Sequence, residues 1–177
     1  PFGHESFFDH LKAKRDALET DGQDFFLGEE ECLKLQQEAI QYYHRFICLF
    51  EMKDFESVVR DTERNLEVFD FIDEYAESEE VLSVFDQMRP QLVMMYARAK
   101  SALIADEEDF QSAIALVEEG LEEIRDFYES QGLDEAGIRR RLDACLLEPA
   151  ALAEPEAWGE LPNPLPGLEA LEEPVGT

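Results

Sequence analysis

The sequence contains few of the residues from which catalytic and metal sites are usually built. Three histidines, three cysteines and one tryptophan occur among its 177 residues. A Gly-rich phosphate loop, a Gly-x-Ser-x-Gly nucleophile elbow and a Glu-x-x-His metal motif are all absent from the sequence. Carboxylate pairs are abundant, but in so acidic a chain their abundance indicates no particular acid–base site. We therefore expect no enzymatic activity, no cofactor and no metal site.

The histidine spacings do not favour a metal site either. His4 and His10 are six residues apart, and on one helix this spacing points them to different faces. His44 and Cys48 are four residues apart and can reach a common metal ion, yet no second ligand pair with suitable spacing follows. We expect a packed histidine and a buried thiol at these two positions.

Basic residues are scarce, and the imbalance of charge limits the possible partners. The chain has 43 Asp and Glu against 15 Lys and Arg, which leaves a formal net charge of −28. Such a surface repels nucleic-acid phosphates and anionic lipid headgroups, so we expect no direct binding to nucleic acid or to membranes. Imitation of a nucleic acid, with a basic protein as the partner, is a minor alternative to a plainly solvated surface.

Long apolar runs are also absent. No stretch of about 18 apolar residues predicts a membrane span, and no basic region followed by an apolar stretch predicts a signal peptide. The odd number of widely spaced cysteines (Cys32, Cys48 and Cys145) favours buried thiols in a reducing compartment. We therefore expect a cytoplasmic protein. Because the chain begins at Pro1 without an initiator methionine, the loss of an N-terminal segment stays open.

What the sequence does contain is an internal duplication. The segment Asp54-Phe55-Glu56-Ser57 recurs 55 residues later as Asp109-Phe110-Gln111-Ser112. In both copies the Asp is placed to cap the helix that follows, because its carboxylate can accept bonds from the free amides of the first turn. Two helix pairs of one design, at about 36–77 and 91–131, are therefore predicted to stack on each other.

The apolar periodicity predicts helices throughout residues 1–147, the expected helical domain. A helix is expected at 78–89, and Pro90 is expected to mark a boundary or a kink after it, because proline lacks an amide hydrogen and restricts the residue before it. In the helix that starts at Asp109 we expect Phe110 and Ile114 to be buried. The fold class predicted from these patterns is all-α.

The C-terminal residues 148–177 have a different composition. They contain six of the eight prolines, placed among acids and alanines. Such a segment cannot continue a helix or strand for long, so we expect an extended, disordered tail. In an alternative, Trp158 docks back onto the helical domain.

The second copy of the duplication resembles a tetratricopeptide repeat. Ala113, three residues after Phe110, and Gly120, seven residues further on, match the small positions of the second helix of that motif. Val58 and Asn65 occupy these positions in the first copy. The resemblance implies a right-handed stack of antiparallel helix hairpins. The 55-residue period is longer than the usual length of about 34 residues.

A second resemblance covers most of residues 1–131. The segments that carry it are PFGHES at 1–6, YYHR at 42–45, VRDTERNL at 59–66 and Arg89-Pro90. They resemble bacterial proteins described as UvrB/UvrC-motif-containing or tetratricopeptide-like. The motif that names this group is not seen here, so no DNA-repair role is carried over. The resemblance implies an intracellular bacterial helical-repeat protein, and that related chains have sequence ahead of Pro1.

Cations recur at matching places in the two copies. Arg45 falls on Lys100 at the 55-residue offset, and Arg98 lies nearby on the same helix. The first helices of tetratricopeptide-like stacks line a groove, so we hypothesise that Arg45, Arg98 and Lys100, with Tyr42 and His44, bind an acidic or C-terminal peptide segment there. In the alternative, each cation pairs with Glu or Asp on the adjacent helix.

The function predicted from the sequence is that of a non-enzymatic protein-interaction or scaffold module, with another protein or a peptide segment as its partner. Two alternatives stay open. The first is an acidic decoy that binds a basic protein, and the second is a regulatory helical domain that binds a small ligand. The run Arg60-Asp61, Glu63-Arg64 is a second candidate surface, with Arg60 and Arg64 four residues apart on one helix face, although most such runs are solvated faces. The oligomeric state is not indicated.

Overall fold

The structure of the protein, a computed structural model, describes residues 3–147, except for the side chains of residues 79–81, 84, 146 and 147. Within that range the chain forms six α-helices and no β-strand, which confirms the all-α prediction. The helices are α1 (Phe7–Thr20), α2 (Glu29–Glu51), α3 (Phe55–Tyr75), α4 (Glu79–Asp106), α5 (Phe110–Ser130) and α6 (Glu135–Leu147). None of these described helices combines the length and apolarity needed to cross a membrane. The predicted tail at 148–177, with Trp158, lies outside the described residues.

The duplication is visible in the helix boundaries. The first helices, α2 and α4, end at Glu51 and Asp106, which are 55 residues apart. The second helices, α3 and α5, begin at Phe55 and Phe110, and both ends of the helix are displaced by the same 55 residues. We call α2 with α3 the first pair and α4 with α5 the second pair.

The turn inside each pair has the same geometry. Lys53 and Glu108 adopt the left-handed conformation, with φ of 60° and 64°. The next residue in each turn, Asp54 or Asp109, caps the following helix: its Oδ1 accepts a hydrogen bond from the amide three residues later, at 3.3 Å and 3.2 Å respectively. The predicted capping role of both aspartates is confirmed.

One prediction about the second pair is wrong. Residues 78–89 do not form a separate helix, because α4 continues without interruption through Pro90. Proline removes one backbone donor, but α4 is held from two sides: Leu92 packs in a core with α1–α3, and Val93 packs in a core with α5. This packing outweighs the local cost. The additional residues therefore lengthen the first helix of the second pair and do not separate the pairs.

Each helix packs mainly on its neighbours along the chain. Helix α2 lies against α3, α3 against α4 and α4 against α5, while α2 also touches α4. Helix α1 lies against α2, and α6 against α5 and α4. A smaller core joins the helices of the second pair. The large core joins α1–α4 around four fully buried phenylalanines, which are Phe8, Phe46, Phe69 and Phe85.

Three side chains that were expected to be buried are exposed. Phe110 and Ile114 at the start of α5 are 61% and 59% exposed, because no described helix packs on that face. Cys48 is exposed because it lies on the side of α2 opposite the buried Phe46. Of the other thiols, Cys32 is buried, as expected, and its burial raises its pKa to about 11.

Candidate functional site

Arg45, in the predicted groove, is bound to a carboxylate on α3. Its Nε donates to Asp61 Oδ2 at 2.6 Å and its Nη2 donates to Asp61 Oδ1 at 2.7 Å, so the pair is bidentate. The Asp61 side chain is fully buried, whereas the Arg45 side chain is 49% exposed. The hydrogen bond with Asp61 raises the pKa of Arg45. Arg45 therefore supplies the charge that the buried carboxylate needs.

The Tyr42 ring is in contact with two guanidinium groups. The guanidinium carbon of Arg45 is 4.2 Å from the centre of the Tyr42 ring, and that of Arg64 is 3.9 Å from it. Arg64 also forms an ion pair with Glu38, and burial lowers its pKa to about 10. Glu38, Tyr42, Arg45, Asp61 and Arg64 thus form one connected set across α2 and α3, which we call the polar chain.

One end of the polar chain reaches α1. Glu38 accepts hydrogen bonds from the backbone amides of Phe7 at 2.7 Å and Phe8 at 3.4 Å. These amides belong to the first turn of α1, where no carbonyl of the same helix is available to them. A carboxylate is also favoured at this end by the helix dipole. The polar chain therefore fastens α1 to α2 and α3, which is a structural role.

Lys100, the counterpart of Arg45 in the second pair, also points towards α3. Its Nζ donates to the Tyr96 hydroxyl and lies 3.7 Å from Glu63 Oε1. The hydrogen bond with Tyr96 is the main reason that the pKa of Lys100 is raised. Arg45 and Lys100 thus each pair with a carboxylate of the adjacent helix, as in the alternative to the peptide-binding groove.

Arg98 differs from these two cations. It lies on α4, and its guanidinium carbon is 5.0 Å from the centre of the Phe50 ring on α2. Its Nη1 atom is buried without a hydrogen-bond partner among the described residues, and no carboxylate of that range forms an ion pair with it. Burial lowers the pKa of Arg98. Arg98 therefore keeps hydrogen-bonding capacity that the described part of the fold does not use.

The histidines are not placed as expected. His44 is exposed on α2, and Cys48 is exposed one turn later, so the expectation of a packed histidine and a buried thiol is wrong. The rings of His4 and His10 lie 5.5 Å apart and do not point to different faces, because His4 precedes the N-cap Ser6 and is not on the helix. Among the side chains that the structure describes, no three His, Cys, Asp or Glu residues come together as metal ligands.

An open groove lies where the turn of the first pair meets the end of α4. Its volume is about 520 Å³. It opens widely to solvent and its lining is largely charged, unlike the enclosed apolar cavities that usually bind small molecules. The groove therefore does not favour the small-ligand alternative. Its lining residues are Lys53, Asp54, Phe55, Glu56, Leu103 and Asp106.

The sequence predictions place Asp61 in a candidate surface run, whereas the structure buries its side chain against Arg45. Asp61 lies three residues after Val58 and four residues before Asn65, and both of these are buried. The spacing places Asp61 on the core face of α3, where a carboxylate requires a positively charged partner. This pattern is the sequence signal that points to the pair with Arg45.

Comparison with known proteins does not assign the chain to a family. No model of a protein family matches the chain, and neither a curated protein nor a solved structure matches it. The resemblance to the UvrB/UvrC-motif-containing group therefore stays a prediction.

Proposed function

We propose that the chain is a non-enzymatic protein-interaction module in which Arg98 binds a carboxylate of a partner protein. The carboxylate belongs to an acidic side chain or to the C-terminus of a segment that lies along α2 and α4. The observation that carries the proposal is the half-buried guanidinium of Arg98, whose buried Nη1 has no partner among the described residues. Arg45 and Lys100, by contrast, already have carboxylate neighbours.

The packing order supports a tetratricopeptide-like stack as the frame of this module. In such a stack the first helices of successive pairs lie side by side, and α2 does touch α4. Gly120, at the small position of the second pair, also supports such a stack. A Cβ at Gly120 would lie 3.1 Å from the Ala97 Cβ and would hinder the close approach of α5 to α4. In the first pair the counterpart Asn65 donates a hydrogen bond to the Ala39 carbonyl at 2.9 Å.

The energetics of Arg98 favour an anionic ligand. A buried donor without a partner costs about 1–3 kcal/mol, and a hydrogen bond to a carboxylate is among the stronger ones available to proteins. Phe50 contacts the guanidinium and shields part of it from water, which strengthens an electrostatic contact made there. An acidic ligand therefore gains more at Arg98 than at an exposed cation.

The first prediction tests this site by comparing the wild-type chain with Arg98→Gln. The substitution removes the charge while keeping a long polar side chain. The experiment is affinity capture from native lysate. We expect Arg98→Gln to retain at least tenfold less of the partner protein than the wild-type chain retains. The contact is charge-assisted, so we expect higher salt to weaken the wild-type complex.

Arg140→Gln is the matched control, because Arg140 is an exposed arginine on α6 and not on α2 or α4, which carry this site. It should retain the partner fully. A partner held equally by the wild-type chain and Arg98→Gln would contradict the site. If that partner were a basic DNA-binding protein, the result would support the acidic-decoy alternative instead.

A further inference from the structure

The start of α5 presents an apolar surface to solvent. Phe110 and Ile114, four residues apart on one helix face, are 61% and 59% exposed. Their counterparts in the first pair, Phe55 and Val59, are half-buried and pack against the large core. We call the surface formed by Phe110 and Ile114 the end face.

In the first pair, two neighbouring helices lie beside the equivalent surface, and one of them is α2, whose Phe50 ring contacts the Phe55 ring. Helix α3 packs against α4, which is the first helix of the next pair. No third pair follows α5 in the described residues, and α6 packs on the smaller core around Ile124 and Tyr128, which belong to the other half of α5. The end face is therefore where the next helix of a continuing stack would lie.

The charged residues nearest to the end face along the chain are all acidic. Residues 101–124 contain eight Asp and Glu and no Lys or Arg. Glu107, Glu108 and Asp109 precede Phe110 in the turn, Glu118 lies one turn after Ile114, and all four are exposed. An apolar surface with such a rim is complementary to a helix that carries basic residues beside its apolar face.

The same charges argue against two other occupants. A second copy of the chain that docks through its own end face would bring an identical acidic rim to the interface. The chain's own residues 148–177 contain seven Glu and no Lys or Arg, so they carry the same sign of charge. Repulsion disfavours both of them, whereas a basic partner is attracted.

We propose that the end face is a docking surface for a basic amphipathic helix of another protein, which occupies the position of the next helix in the stack. The end face does not include Arg98. It binds a basic partner, whereas Arg98 binds an acidic one. The two proposals can be tested separately, because the sites share no residue and each can be substituted without the other.

The second prediction tests the end face with a synthetic amphipathic helical peptide of leucine and lysine, titrated into the full chain by calorimetry. We expect Phe110→Gln with Ile114→Gln to weaken binding at least tenfold, and higher salt to weaken binding of the wild-type chain. Met52→Gln is the matched control, because Met52 is 75% exposed at the turn of the first pair. It should bind the peptide as the wild-type chain does, and so should Arg98→Gln.

Equal binding by the wild-type chain and the doubly substituted chain would overturn the proposal, since the peptide would then be held by net charge alone. A peptide with glutamate in place of lysine should not bind. The occupant is identified by Phe110→p-benzoylphenylalanine in the full chain, followed by irradiation with the peptide present. A crosslink to the peptide supports the proposal, whereas a crosslink to residues 148–177 or to a second copy of the chain instead would overturn it.

Discussion

Arg45 and Asp61 do not contribute equally to their ion pair. Asp61 is fully buried and Arg45 is 49% exposed, so folding removes more water from the carboxylate than from the guanidinium. Loss of the cation leaves the carboxylate buried with the 3.2 Å contact from Arg60 Nε, while loss of the carboxylate lets Arg45 turn towards solvent. The effect of a substitution therefore depends on which partner is removed.

The third prediction follows from this asymmetry. Arg45→Ala is expected to lower the free energy of unfolding by about 2 kcal/mol, because a buried acceptor left without its main partner costs about 1–3 kcal/mol. Combining it with Asp61→Leu should restore part of the loss, since the uncompensated charge is gone. Urea denaturation measures both changes, and Arg140→Ala on the surface of α6 should stay within about 0.5 kcal/mol. A combined variant that is less stable than Arg45→Ala would contradict the interpretation.

At the scale of the elements, the two turns offer a matched pair of sites. The fourth prediction is that Lys53→Gly and Glu108→Gly each raise the free energy of unfolding by about 0.5–1 kcal/mol. Both residues have a positive φ, which strains an L side chain and which glycine adopts freely. Chemical denaturation of each variant tests this, with Gly132→Ala as a control expected to be destabilising, because Gly132 has a φ of 79°. Effects of opposite sign at the two turns would contradict the shared geometry.

The helices and their caps could be predicted because their signals are local. Asp54 and Asp109 act within one turn of the chain, and apolar spacing is read over a single helix. The predicted helix boundary at Pro90 and the predicted burial of Phe110 are wrong, and at both positions the outcome depends on which other helix packs there. The same limit applied to the candidate site, because the spacing of Arg45 and Lys100 does not show that both side chains point to α3.

At the scale of the whole molecule, the dominant property is a formal charge of −28. The fifth prediction is that raising sodium chloride from about 0.01 M to about 0.1 M increases Tm. The Debye length falls from about 30 Å to about 10 Å over that range, which screens repulsion between distant carboxylates. Exposed ion pairs are also screened but contribute little. Scanning calorimetry gives the shift, potassium chloride should reproduce it, and a falling Tm would mean that attractive pairs dominate.

Packing between neighbours along the chain has a consequence for synthesis. Because most contacts are local, folding can begin in one helix pair before the rest of the chain is present. The aromatic core around Phe8, Phe46 and Phe69 uses residues that leave the ribosome before α5 and α6 do. A nascent chain therefore holds most of its larger core before α5 and α6 emerge, and these later helices add to a surface that is already formed.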